Sequence, residues 1–334
     1  MLLLVACFLD YLIGDPIGWL HPVQVIGWLI LWGQKIGINS NNQPRFTPLW
    51  MKLWGIFFGL FVMFISATIG YFLCILAWRI NPLVGQIIVT IILSACLAGK
   101  SLRMAAKDVL TLLDDLPLAR KRLSRYVGRD TIDLSAKDIL RAVLETVTEN
   151  GVDGVTAPLF YMMLGYLLFS AFGAVFFGLF YKASSTLDSM IGYKEEPFTD
   201  FGWFSAKTED ILTWLPCRLT VFSLGLLSGR PFYVWSICQR DGRKDQSPNS
   251  GWSESVYAAI LRVQVGGENR YKGKIKNKPL LGEDLEPITP IKIEQALNLT
   301  RLCCLVWLSL FSLIFICQRV ETLFQDSNLI TIFF

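Results

Sequence analysis

One histidine in 334 residues, His21, excludes more chemistry than any other scarcity in this chain. A histidine-based triad or multi-histidine metal site is ruled out unless His21 supplies the single imidazole. Cysteine is little better placed for chemistry. The eight cysteines include no Cys-x-x-Cys pair, only Cys303 beside Cys304, and most lie in hydrophobic runs where a thiol acts as a small hydrophobe. Neither a disulfide framework nor a zinc site is expected. No stretch matches a Walker A loop or a dinucleotide fingerprint.

Charge is scarce too. Charged residues make up 17% of the chain against 53% hydrophobic ones, and mean hydropathy is +0.47, which places the protein in the membrane class. The net charge of +4 is small and spread along the chain, so it argues against a nucleic-acid partner and marks cytoplasmic loops instead. The expected fold is an all-α, polytopic integral membrane protein with amphipathic helices facing the cytoplasm. No basic region precedes MLLLVACFL, and Asp10 and Asp15 interrupt the apolar residues after it, so a retained membrane segment is expected rather than a cleaved signal.

Taken in order, the chain reads as one membrane-embedded domain, 1–334, with five regions. Residues 1–99 hold the N-terminal membrane helices. Met1 to Trp32 is broken by GDP and HP and predicts two short helices or a re-entrant hairpin. Leu53 to Trp78 is the clearest span, and Leu83 to Gly99 returns across the bilayer. Residues 100–154 are polar and helical. There Ser135 and Asp138 form a capping box, and Ile139, Val143 and Val147 share one stripe of a helix ending at Asn150-Gly151. Residues 155–228 are apolar segments around an acidic block. Residues 229–300 are polar, and 301–334 hold a last membrane segment and tail.

The polar blocks pose a topological problem. If 155–181 and 211–228 each cross once, the acidic block between them is separated from its basic neighbours. Hairpins or partly inserted helices at both places keep every polar block on one face.

The acidic block runs from Lys182 to Trp203, with Asp188, Glu195, Glu196 and Asp200, and extends to Glu209 and Asp210. Such carboxylates suit metal binding or deprotonation of an amine; composition alone favours a solvated loop. Glu149, Asn150 and Asp153 bracket a glycine-bounded turn, and carboxylates with an amide suit magnesium held through oxygen. Asp10 and Asp15 sit in an apolar segment, as pore-lining groups do, or in a short interfacial loop. RDGRKDQSPNSGW from Arg240 offers a basic cluster and a turn able to cradle phosphate. Gly266, Gly267, Asn269 and Arg270 form a second glycine-rich turn. Lys272, Lys274, Lys276 and Lys278 alternate and are expected to face water or headgroups.

In this order the motifs resemble the CobD/CbiB family, the adenosylcobinamide-phosphate synthases of cobalamin biosynthesis. The match takes in LIGDP with HPV, ENGVDGVTAPLFY, STLDSMIGY, DFGW, LPCRLT and RDGRKDQSPNSGW leading to VGGENRY. It spans nearly the whole chain, and six ordered motifs are far more specific than one. The sequence departs at Ser185 and Thr213, where such sequences usually show Asn, and at Asp245 and Gln246, where a His often precedes SPN.

The resemblance implies an ATP-dependent ligase joining a carboxylate of adenosylcobyric acid to the amine of (R)-1-amino-2-propanol O-phosphate or free aminopropanol. It implies Mg2+, with ATP as co-substrate. Glu149, Asp153 and Asp188 would hold the metal or orient the amine. Arg218, Arg240 and Arg270 would bind phosphate, and Ser247, Asn249 and Asn269 would orient substrate, with Asn150, Asp15 and His21 on the substrate side. The expected setting is the cytoplasmic (inner) membrane with the site facing the cytoplasm, beside other cobalamin-assembly membrane enzymes. The rival class is a transporter or an AmpE-like sensor, with Asp10 and Asp15 lining a path; a simple carrier has no need of the phosphate-suited turns.

Overall fold

A computed structural model describes residues 2–14 and 21–332, with side chains described up to 317. The chain is overwhelmingly helical. Helices α1 (Leu2–Leu12) and α2 (Pro22–Gly37) are the two short N-terminal helices expected. His21 starts α2 by physical necessity: its Nδ1 accepts the Val23 N–H while Gln24 bonds back to the His21 amide, so orphan donors at the helix start are paired.

Helices α3 (Pro48–Ile80) and α4 (Pro82–Ala95) form the predicted hairpin, turned at Asn81, whose side chain accepts from the amides of Leu83 and Val84. After a 42° bend comes α5 (Gly99–Leu110), then the short α6 (Leu116–Leu123). The capping box at Ser135 and Asp138 opens α7 (Ala136–Gly151) as predicted. The helix does not end at Gly151. It widens into a single π-turn, Val152–Thr156, and continues as α8 (Ala157–Ile191).

Within α8 the backbone leaves helical geometry at Phe169 and Ser170, and the two legs fold back on each other. A Cβ on Gly165 would collide with the Gly173 carbonyl, and one on Gly173 with the Gly165 carbonyl. Only glycine permits that approach. Tyr161 stacks on Tyr181 at 5.1 Å, and Met162 packs against Gly178. The apolar run 155–181 is therefore a hairpin, one of the forms expected for it.

The run 211–228 is a helix rather than a hairpin. It belongs to one continuous helix, α10 (Trp203–Leu227), which follows the single turn α9 (Phe198–Phe201). Pro216 inside α10 removes the N–H that the Leu212 carbonyl would receive, and the Tyr161 hydroxyl donates to that carbonyl at 2.8 Å instead. The reversal lies beyond α10, and α11 (Pro231–Asp241) packs back along it. A 3-10 turn (Gly242–Lys244) and α12 (Ser250–Leu261) come next.

An antiparallel pair then interrupts the helices: β1 (Gln264–Tyr271) and β2 (Lys274–Gly282), with a bulge between Val265 and Gly267. The glycine-rich turn read at Gly266–Arg270 is in fact this bulged strand. The alternating lysines are the β2 period. Helix α13 (Pro290–Ile332) closes the chain.

Among the described residues four stretches are long and apolar enough to cross a membrane, Pro48–Ile80, Ala136–Ile191, Trp203–Leu227 and Pro290–Cys317; the bent pair α4–α5 is a fifth candidate. The protein is thus a multi-pass, all-α membrane protein with one small hairpin. One large apolar core joins α1, α4, α5, α7, α8 and α10 to α13, and a second lies between α2, α3 and the last turns of α8.

Candidate active site

The π-turn is the keystone of the polar site. A π-turn adds one residue to the helical circuit and rotates the helix beyond it. It places Asp153 among acids from three other helices, close enough for the charges of Glu209, Glu149, Asp188 and Asp210 to reach it. Thr220 of α10 ties the turn down, donating to Thr156 Oγ1 at 2.8 Å. Asp188 lies in the last turn of α8, whose end is marked by the Gly192 N–H donating to the Asp188 carbonyl. A side chain at Gly192 would overlap Asp188 Oδ1, so glycine is what leaves that carboxylate room. Glu209 is buried and accepts from Thr213, which also meets the Tyr181 hydroxyl at 2.8 Å. Thr213, a departure from the family pattern, thereby keeps a hydrogen-bonding role.

The Ser-Pro-Asn turn is fastened to the start of α10. Asn249 is buried, donates to the Asp210 carbonyl at 2.8 Å and accepts from Arg218 at 3.2 Å. Ser247 Oγ approaches Asp210 at 3.4 Å and accepts from the Asn249 amide. Arg218 also donates to the Pro248 carbonyl at 2.7 Å and lies over the rings of Trp252 and Trp214, at 4.3 and 5.2 Å. Part of each expected substrate ligand is thus spent on holding the turn. Beside it opens a hollow of about 880 Å3 whose walls include Lys207, Trp214, Arg218, Trp235, Arg243 and Trp252.

Under these groups lies a buried polar layer that residue-by-residue reading missed. Lys278 reaches Glu254 at 3.2 Å, with side-chain exposures of 20% and 0%, so this one of the four alternating lysines does not face water. Burial raises the pKa of Glu254, Lys278 pulls it down, and Glu149 and Glu145 raise it further. Burial works against the Lys278 ammonium, but those three carboxylates outweigh it and hold the charge. Nearby, Glu145 binds Arg129 and accepts the Gly266 N–H at 2.8 Å, while Arg129 donates to Asn269 at 2.8 Å. The one available signal was Glu254 itself, the sole charge in the helix SGWSESVYAAIL.

Other expected site residues are elsewhere engaged. Arg240 pairs with Asp241 at 2.7 Å and Glu283 at 3.2 Å. Arg270 is exposed and faces Asp133 at 3.6 Å. Asn150 is exposed and bonds back to the Thr146 carbonyl, His21 caps α2, and Asp15 lies outside the described residues. Asp10 is buried and accepts the Gly99 N–H at 3.1 Å. The acidic block divides: Asp188, Glu209 and Asp210 turn inward, whereas Asp200 pairs with Lys52 and Glu195 with Lys272 at the surface. Among the described residues no three His, Cys, Asp or Glu side chains are grouped to hold one metal ion together. The donors at the π-turn are all carboxylate oxygens, which suits magnesium bound by one or two of them with phosphate and water completing the shell.

These features define a multi-pass membrane protein with a carboxylate-rich polar site at one end of its helices. The family model for the CobD/Cbib protein matches residues 3–300. A cobalamin biosynthesis protein CobD of Synechocystis is 50% identical over 298 residues, covering 89% of this chain and 86% of that one. A CobD of Halalkalibacterium halodurans (37% identical; 91% and 94%) and a CbiB of Salmonella typhi (37%; 92% and 94%) are also similar. The chain belongs to the CobD/CbiB family of cobalamin biosynthesis proteins. No solved structure matches it.

Proposed function

We propose that the chain catalyses ATP-dependent amide formation between a carboxylate of adenosylcobyric acid and the amine of (R)-1-amino-2-propanol O-phosphate, or free aminopropanol. The observation that carries this reading is the juxtaposition of the acids around the π-turn with the hollow walled by cations and tryptophans. A corrinoid is a broad macrocycle fringed with amides, and tryptophan faces and arginine planes are surfaces on which such a ring can lie.

A carboxylate resists attack because its oxygen is a poor leaving group. Transfer of the γ-phosphoryl group of ATP to it gives an acyl phosphate and ADP; the amine then attacks the carbonyl carbon, losing a proton and expelling phosphate. Asp188, Asp153 and Glu149 provide the oxygen ligands and a base for that proton. Magnesium, when bound, neutralises the phosphate charge during transfer. Arg243 and Lys207, on the wall of the hollow, supply cations towards anionic substrate groups.

The decisive experiment supplies adenosylcobyric acid, ATP, magnesium and aminopropanol phosphate to the protein in membranes and measures amidated corrinoid and ADP. Asp188→Asn is expected to abolish product while the protein remains folded; near-normal turnover removes Asp188 from the catalytic set. Movement of substrate across vesicles without product favours the transporter reading. The polar end is assigned to the cytoplasm, where ATP is available. Labelling of exposed Lys194 from outside intact cells would overturn that assignment.

A further inference from the structure

A second cavity, of about 350 Å3, lies between α1, α5 and α13 and is bordered by Val155 of the π-turn. Its walls are almost wholly apolar, with Leu4, Phe8, Leu159, Leu305 and Leu308 among them. At one end stands Tyr11, with the Arg103 guanidinium 4.1 Å and the Arg301 guanidinium 4.4 Å from its ring centre. Neither arginine takes part in the ion pairs found between described residues. The one acid lining the cavity, Asp10, is turned to the N-terminus of α5 through the Gly99 N–H.

The position of this end follows from the sequence. Arg301 immediately precedes the apolar run of α13, Arg103 sits one turn into the polar helix α5, and Tyr11 is in the last turn of α1. That is the level at which Tyr and Arg anchor at the membrane surface. Phe8 and Leu305 are exposed there, so the cavity opens sideways towards acyl chains.

We infer that this groove is a binding site for one anionic glycerophospholipid, its phosphate held by Arg103 and Arg301 and an acyl chain laid along the Leu4–Leu308 trough. Charge complementarity selects the occupant. Two guanidiniums at a headgroup level, without an acidic partner among the described residues, fit a phosphodiester in bidentate fashion, and a zwitterionic lipid brings its own compensating cation. The groove also touches the candidate site. Val155 of the π-turn lines it, and Thr300, another lining residue, meets the Tyr257 hydroxyl at 2.7 Å against Gly151. A lipid seated there buttresses the π-turn.

The test is retention of phosphatidylglycerol against phosphatidylcholine by the full chain reconstituted in an equimolar mixture, then extracted in mild detergent and read by native mass spectrometry. Wild type should hold phosphatidylglycerol with about tenfold enrichment, equivalent to about 1.4 kcal/mol. Arg103→Ala with Arg301→Ala should bring the ratio to about unity, and Leu305→Trp, which keeps both arginines but fills the trough, should lose retention of either lipid. Equal retention of the two lipids by wild type overturns the inference, as does unchanged preference in the double variant. Thermal stabilisation by inorganic phosphate alone, matching that by phosphatidylglycerol, assigns the arginines to a free anion and overturns it too. Thermal midpoints in phosphatidylcholine check that both variants fold. The readout involves neither ATP nor corrinoid, so its failure is separate from failure of the proposed reaction.

Discussion

Replacing Lys278 with methionine keeps the length of the side chain and removes its charge, leaving the fully buried Glu254 without its cation. Glu254 Oε1 loses its 3.2 Å partner, and Oε2 has none among the described residues. Removing one member of a buried pair costs about 3–5 kcal/mol where an uncompensated charge stays behind, which for Glu254 requires a pH high enough to keep it ionised. At roughly 2 °C per kcal/mol for a chain of this size, the thermal midpoint should fall by about 6–10 °C at roughly pH 10, and by much less near pH 8, where Glu254 takes up a proton instead. The sign of the pH dependence is set by Glu254. Burial has already raised its pKa from 4.5 to about 8, so the folded state takes up a proton more readily than the unfolded state. Its contribution therefore becomes more unfavourable as pH rises from 4.5 through 8, and loss of Lys278 extends that range upward. The deficit of the variant should shrink as pH is lowered towards 5.5. Glu254→Gln combined with Lys278→Met should recover most of it, since no charge remains to be buried. Scanning fluorimetry in detergent across that pH range checks this. A variant as stable as wild type at roughly pH 10, or a deficit that does not change with pH, would refute the account.

Gly192→Ala should displace the Asp188 carboxylate it overlaps, and a shift of about 1 Å can cost on the order of a hundredfold in turnover; an intact midpoint with lowered kcat in the ligation assay is expected. Asp241 is a contrasting buried acid. Burial pushes its pKa up, but hydrogen bonds from Arg240, Lys244 and the Gly282 amide prevail and hold it at about 2. That depressed value contributes stability from about pH 4 upward, lost as pH falls towards 2, so Asp241→Asn should lower the midpoint at neutral pH by an amount equivalent to about 2 kcal/mol and flatten the acid limb of a stability profile. Ser135→Ala removes the capping box of α7 and should cost about 1 kcal/mol, visible as a lowered midpoint with unchanged kcat.

Much of the fold was readable because hydropathy and capping are local. The α3–α4 hairpin needs only two apolar runs around Asn81-Pro82, and α7 begins where Ser135 and Asp138 say it must. The candidate site was readable as a set of motifs, and Glu149, Asp153 and Asp188 lie within reach of one another's charges. What escaped depends on pairs far apart in the chain. Lys278 and Glu254 lie on a strand and a helix separated by a bulge, and Arg129 meets Asn269 across 140 residues. Nothing in the spacing of lysines along β2 distinguishes the one that is buried.

The sequence by itself determined that this is a helical membrane protein, that its polar chemistry is acidic and free of histidine clusters, and that it falls in the CobD/CbiB family. Tertiary structure decided which way the acids of that block face. Lys182 to Trp203 splits into an inward Asp188 and outward Glu195 and Asp200, because α8 folds back at Phe169–Ser170 and the π-turn rotates Asp153 to meet it. Helical period dictates which residues share a face, but only packing determines which face looks into the site.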